Sequence, residues 1–130
     1  MALQVTSLYA ALLGLIGIVL AGMVGRARSR TTISLGEGDN TAIVEANRRH
    51  MNWVENVPIT LLLLAMVELN GAPKGWLHAL GASLLIARLI HPFGIDFGKM
   101  NTWQRGAGAG LSFLVTIACA ATLLWQTFTR

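Results

Sequence analysis

The stretch EANRRHMNWVENVP, residues 45–58, runs directly into ITLLLLAMV, residues 59–67, and the join between them decides the fold. Two arginines, a histidine and two glutamates precede a run that carries no charge. A soluble helix separates polar from apolar residues around its circumference. Here the separation runs along the helix axis, as in a helix that enters a bilayer with its ionisable groups at the boundary.

Composition extends that reading to the whole chain. Its 130 residues allow a single domain, 1–130, and are 54% hydrophobic but only 12% charged. Soluble domains carry roughly 25% charged residues. VTSLYAALLGLIGIVLAGMVG, Val5 to Gly25, holds 21 residues without a charge, and its reach of roughly 31 Å matches a hydrocarbon core. A cleaved signal peptide requires basic residues ahead of the apolar block, whereas Arg26, Arg28 and Arg30 follow it. The second span covers about 53–69 and ends a longer helix that begins near Thr41; NGAPKG, residues 70–75, closes it. A third span covers about 76–90. HPFGIDFGKMNTWQ reads as a connector, and the fourth span runs from Gly106 to about Gln126, with Gly106, Gly108 and Gly110 permitting close helix contact. The fold class is therefore all-α, an integral membrane bundle of four helices with short connections and antiparallel neighbours.

The basic residues are distributed unevenly. Loop one and the start of helix two hold Arg26, Arg28, Arg30, Arg48 and Arg49, and loop three with its flanks holds Arg88, Lys99 and Arg105; the other side has Lys74 and Arg130. The positive-inside rule puts loops one and three in the cytoplasm and both termini outside, in the inner membrane if the source is bacterial. The net charge of +4 forms no continuous basic face with stacking aromatics, so nucleic acid is not an expected partner. Membrane lipid or an anionic small molecule is. Cys119, the single cysteine, reads as a packing residue in LVTIACAATLL.

Helical spacing aligns Arg48, Asn52 and Glu55 on one stripe, with Glu45 facing Arg49 on the next and His50 pointing elsewhere. Arg88 and His91 lie three apart at the end of span three, and Arg26 and Arg105 flank spans one and four on the same side. Every helix thus brings a cation to one layer. Arg28, Arg30, Arg49 and Lys99 read as anchors snorkelling to lipid phosphate. Anchoring explains neither Arg88, which follows LGASLLIA, nor the carboxylate of Glu55. Several arginines with a carboxylate and an amide suit a zwitterionic ligand bearing more than one carboxylate. Glutathione has that inventory, and a further arginine beside its sulfur would favour the thiolate.

RRHMNWVENVP, residues 48–58, resembles the signature of the MAPEG family, membrane-associated proteins in eicosanoid and glutathione metabolism. Arg48, Asn52, Glu55 and Pro58 match its second-helix motif, His50 matches the histidine of the prostaglandin E synthase branch, and ARLIHPFG is similar to the end of its third helix. The resemblance implies a homotrimer that binds glutathione between subunits near the cytoplasmic face, through Arg26, Arg48, His50, Asn52, Glu55, Arg88 and His91. Arg105 stands close to the arginine that stabilises the thiolate. The implied activity is a glutathione transferase or peroxidase, with glutathione as co-substrate and an apolar electrophile or lipid hydroperoxide as acceptor. Asn56 replaces a tyrosine common in the family, Ile95 falls where the eicosanoid branches place another, and Tyr9, the single tyrosine, is on the other side. Those departures point away from leukotriene or prostaglandin synthesis and motivate the alternative of a non-catalytic glutathione- or lipid-binding protein. A proton-coupled carrier would require an acid at mid-membrane; Glu68 reads as an exposed helix-end residue beside its turn. A metal site from His50, His91 and Glu45 or Glu55 lacks tight ligand spacing, and no metal is expected.

Overall fold

The computed structural model describes residues 2–129. The described chain forms α1 (Gln4–Ser29), α2 (Thr41–Leu69), α3 (Lys74–Ile90), a 3-10 turn at His91–Gly94 and α4 (Trp103–Phe128). Among the described residues there is no strand, only an isolated bridge between Asp96 and Lys99. Four helical segments are long and apolar enough to cross a membrane. α1 and α4 each pack against both α2 and α3 and flank that central pair.

Local chemistry explains where the helices begin and end. The Asn40 side chain accepts the Ile43 N–H at 3.1 Å and starts α2 ahead of the charged stretch. α2 continues through Pro58 without interruption to Leu69. α4 starts three residues before Gly106, because Thr102 supplies a cap to the Arg105 N–H at 3.4 Å. α1 has no local cap. Its N-terminus is capped from the far end of α2 instead, where Glu68 accepts the N–H groups of Val5 at 2.9 Å and Thr6 at 2.7 Å. Glu68 is thus a half-buried cap and not the exposed helix-end residue that its position beside a turn suggests.

The core consists of Leu13, Val57, Leu64, Leu77, Leu84, Val115 and Cys119 with their neighbours. Cys119 is fully buried, in its expected packing role. Thr60 and Thr116 share a hydrogen bond of 2.7 Å between α2 and α4, and Trp76 Nε1 donates to Thr122 Oγ1 at 3.1 Å between α3 and α4. Only one of the three opening glycines of α4 mediates close packing. A Cβ on Gly108 would stand 2.6 Å from His91 Cβ and 2.9 Å from the Ala87 carbonyl, whereas at Gly106 and Gly110 it would meet nothing within 4 Å. At the other end of the bundle, Tyr9 packs on Gly81 and its hydroxyl lies 3.1 Å from His78 Nδ1.

Candidate functional site

The end of α1, the head of α2, the end of α3 and the head of α4 meet at one end of the bundle, beside loops one and three. A cavity of about 200 Å³ opens there. α2 contributes Glu45, Arg48 and Asn52 to its wall, the connector contributes His91, Ile95, Asp96 and Phe97, and α4 contributes Arg105. The polar stripe of α2 thus faces the connector, and its first two members reach the cavity.

The connector wall is fastened to α2. Arg49 donates from Nε to the Pro92 carbonyl at 3.0 Å and from Nη2 to the Ile95 carbonyl at 2.7 Å. Glu45 accepts the Phe97 N–H at 2.7 Å and pairs with Arg49 at 3.5 Å. Arg49 is therefore an internal staple and not a lipid anchor: the connector has carbonyls without helical partners, and a guanidinium fork satisfies two of them together. Arg28 departs from the anchor reading in the same way, donating to the Gly36 carbonyl at 2.7 Å within loop one.

Arg88 stands behind the cavity, only 2% exposed. Its guanidinium donates to Asn52 Oδ1 at 2.7 Å, to the Gly108 carbonyl at 3.0 Å and to the Ser112 hydroxyl. It links α2, α3 and α4 through charge-assisted bonds in a low-dielectric setting. Because the Asn52 carbonyl is taken by Arg88, its amide N–H groups are what it can offer a ligand.

The remaining charges of the cavity are uncommitted. Arg48 makes no hydrogen bond or ion pair among the described residues. Arg105 is exposed and makes only a long bond, 3.4 Å, to the Met100 carbonyl. Glu45 is neutralised by Arg49, but Asp96 has no cationic partner among the described residues. Two guanidinium groups and one carboxylate thus line one small cavity with their charges unspent.

Of the residues expected to form a site, Arg48, Asn52, His91 and Arg105 come together at the cavity, and Arg88 supports it from behind. Arg26, His50 and Glu55 do not line it; Arg26 and Glu55 are exposed and His50 is half-buried. Among the described residues no three His, Cys, Asp or Glu side chains gather to hold a metal. Sequence reasoning missed Asp96, whose signal was its place between the turn-forming glycines of GIDFG. It also missed Ser112 and gave Gly108 only a packing role; the two sit four apart on the α4 face toward Arg88.

The MAPEG family model matches residues 6–125. The chain is 31% identical over 122 residues to the inner membrane protein YecN of Escherichia coli strain K12, an alignment covering 94% of this chain and 92% of the relative. It has the same similarity to YecN of E. coli O6:H1. No solved structure matches significantly.

Proposed function

Because the chain belongs to the MAPEG family, we propose that it is a glutathione transferase or glutathione-dependent peroxidase of the inner membrane, working as a homotrimer with loops one and three in the cytoplasm. The observation that carries this reading is the charge match at the cavity. Arg48 suits a carboxylate, Arg105 the thiolate and Asp96 the ammonium of glutathione, which leaves its second carboxylate to a cation from a neighbouring copy. The Asn52 amide adds neutral donors. A cavity of about 200 Å³ falls short of the roughly 300–1,000 Å³ of small-molecule sites. A neighbouring copy supplies the remainder, and Arg26, His50 and Glu55 are the family-motif residues left to contribute across that boundary.

In this mechanism Arg105 stabilises the thiolate and the thiol proton passes to solvent. The apolar acceptor partitions from the lipid. In conjugation the sulfur forms a bond to an electrophilic carbon as the leaving group departs with its electron pair. In peroxide reduction the sulfur attacks the terminal peroxide oxygen, the O–O bond breaks and the departing lipid alkoxide takes a proton from solvent, giving the lipid alcohol and a glutathione sulfenic acid; a second glutathione condenses with that acid to disulfide and water.

The test is titration of the detergent-purified protein with glutathione. Arg48→Ala is expected to weaken binding about ten-fold or more, the loss of a charge-assisted contact. Equal affinity in both proteins would remove the pocket. A second reading, binding without turnover, is favoured by Ile95, an aliphatic cavity residue where the eicosanoid branches place a phenol. Protein that binds glutathione but conjugates none of a broad electrophile panel and reduces no lipid hydroperoxide decides for it.

A further inference from the structure

The connector from α3 to α4 turns apolar side chains outward while its own side chains and those of α2 satisfy its backbone. Phe93, Phe97, Met100 and Trp103 are each 65–81% exposed. On the spans, lipid tails cover such residues. These four instead run from just past the end of α3 to the first residue of α4, where a loop bathed in water carries mostly polar side chains. We infer that residues 92–103 lie within the lipid headgroup layer at this end of the bundle, with the four apolar side chains at the boundary between headgroups and acyl chains.

Two independent features agree with that placement. The first is the backbone. Arg49 takes the carbonyls of Pro92 and Ile95, the Thr102 hydroxyl donates to the Gly94 carbonyl at 2.6 Å, and Glu45 accepts the Phe97 N–H. Asp96 accepts the Gly98 N–H on Oδ1 at 2.8 Å and the Lys99 N–H on its carbonyl at 3.2 Å. Water hydrates such groups in an aqueous loop, whereas irregular backbone in a water-poor layer has to find its partners within the protein. The second feature is depth. The helical rise puts Trp103 about 33 Å from the equally exposed Trp125 along α4, against roughly 30 Å for a hydrocarbon core. Tryptophans at that separation mark its two boundaries, and the connector enters α4 at one of them. Lys99 has no ion pair among the described residues, so its ammonium can reach lipid phosphate. Phe97 also lines the cavity; the opening thus stands where water meets lipid, whichever ligand it takes.

The experiment places an environment-sensitive fluorophore on Phe93→Cys and, separately, on Met100→Cys in the full-length protein, reconstituted into vesicles of phosphatidylethanolamine and phosphatidylglycerol. Both side chains are exposed, so neither change disturbs the core, and the buried Cys119 adds little background. Asp39→Cys, at an exposed position in the polar loop one, serves as the aqueous reference. Labels at 93 and 100 are expected to emit at shorter wavelength than the label at 39. They should lose most of their emission to lipids brominated high on the acyl chains and respond several-fold less to aqueous iodide. A label at either position as open to iodide as the one at 39 puts the connector in water and overturns the inference. Labels shielded from both quenchers give the patch to a neighbouring copy of the chain and overturn it as well.

Discussion

Arg105 and Arg88 show how differently one residue type is used at one end of this bundle. Arg105 is exposed and nearly unbonded, so its charge is available to whatever enters the cavity. Arg105→Ala is expected to leave glutathione able to bind through Arg48 but to remove the ultraviolet absorbance of the bound thiolate, with Arg105→Lys recovering part of it. Thiolate absorbance unchanged in Arg105→Ala would reject its role. Arg88 is spent on its own protein, with three acceptors from two other helices. Lysine has no planar fork to reach them together. Arg88→Lys is expected to cost about 1–3 kcal/mol, read as a lower melting temperature in detergent. The sequence shows that Arg88 is out of place in an apolar run and that it has a purpose. It does not show that the purpose is support, because Ser112 and Gly108 lie on a helix remote in sequence. Asp96 is illegible for a related reason: a loop aspartate between glycines reads as a turn former, and only the fold puts it in one cavity with Arg48.

At the scale of elements, spans one to four are legible because charge is absent from long blocks, a pattern independent of packing. Helix ends are less legible because caps override composition. Thr102 extends α4 ahead of its glycines, and Glu68 acts from another helix altogether. The glycines give a direct check on the α3–α4 contact. Gly108→Ala forces a methyl against His91 and is expected to destabilise by about 1–3 kcal/mol. Gly110→Ala meets nothing within 4 Å and is expected to be neutral or to stabilise by up to about 1 kcal/mol, as alanine does over glycine in a helix. Thermal melts of the two variants separate packing from propensity. The Glu45–Arg49 pair makes a parallel case for the connector. Glu45→Gln weakens both the hold on the Phe97 N–H and the pairing with Arg49, so amide exchange should accelerate over residues 95–99 while the core of α4 keeps its protection.

For the molecule as a whole, the proposed orientation and assembly can each be tested directly. Native mass spectrometry from detergent is expected to give three copies per particle, and a monomer that still binds glutathione at full affinity would refute the shared site. Cys119 is buried and offers little background to a membrane-impermeant maleimide. Lys74→Cys should therefore be labelled from outside intact spheroplasts, and Lys99→Cys only after lysis. The reverse pattern would invert the bundle and put the cavity on the other face.

Glu68 has a bearing on how the chain is made. The first backbone amides of α1 find their acceptor only when the last turn of α2 comes alongside, so a nascent chain that has released only α1 leaves them without that acceptor. The two segments should accordingly settle as a pair. Synthesis stalled before residue 68 should leave the first segment prone to slip back toward the translocon, and Glu68→Ala should reproduce that weakness in the finished chain, away from the cavity that Arg48 lines.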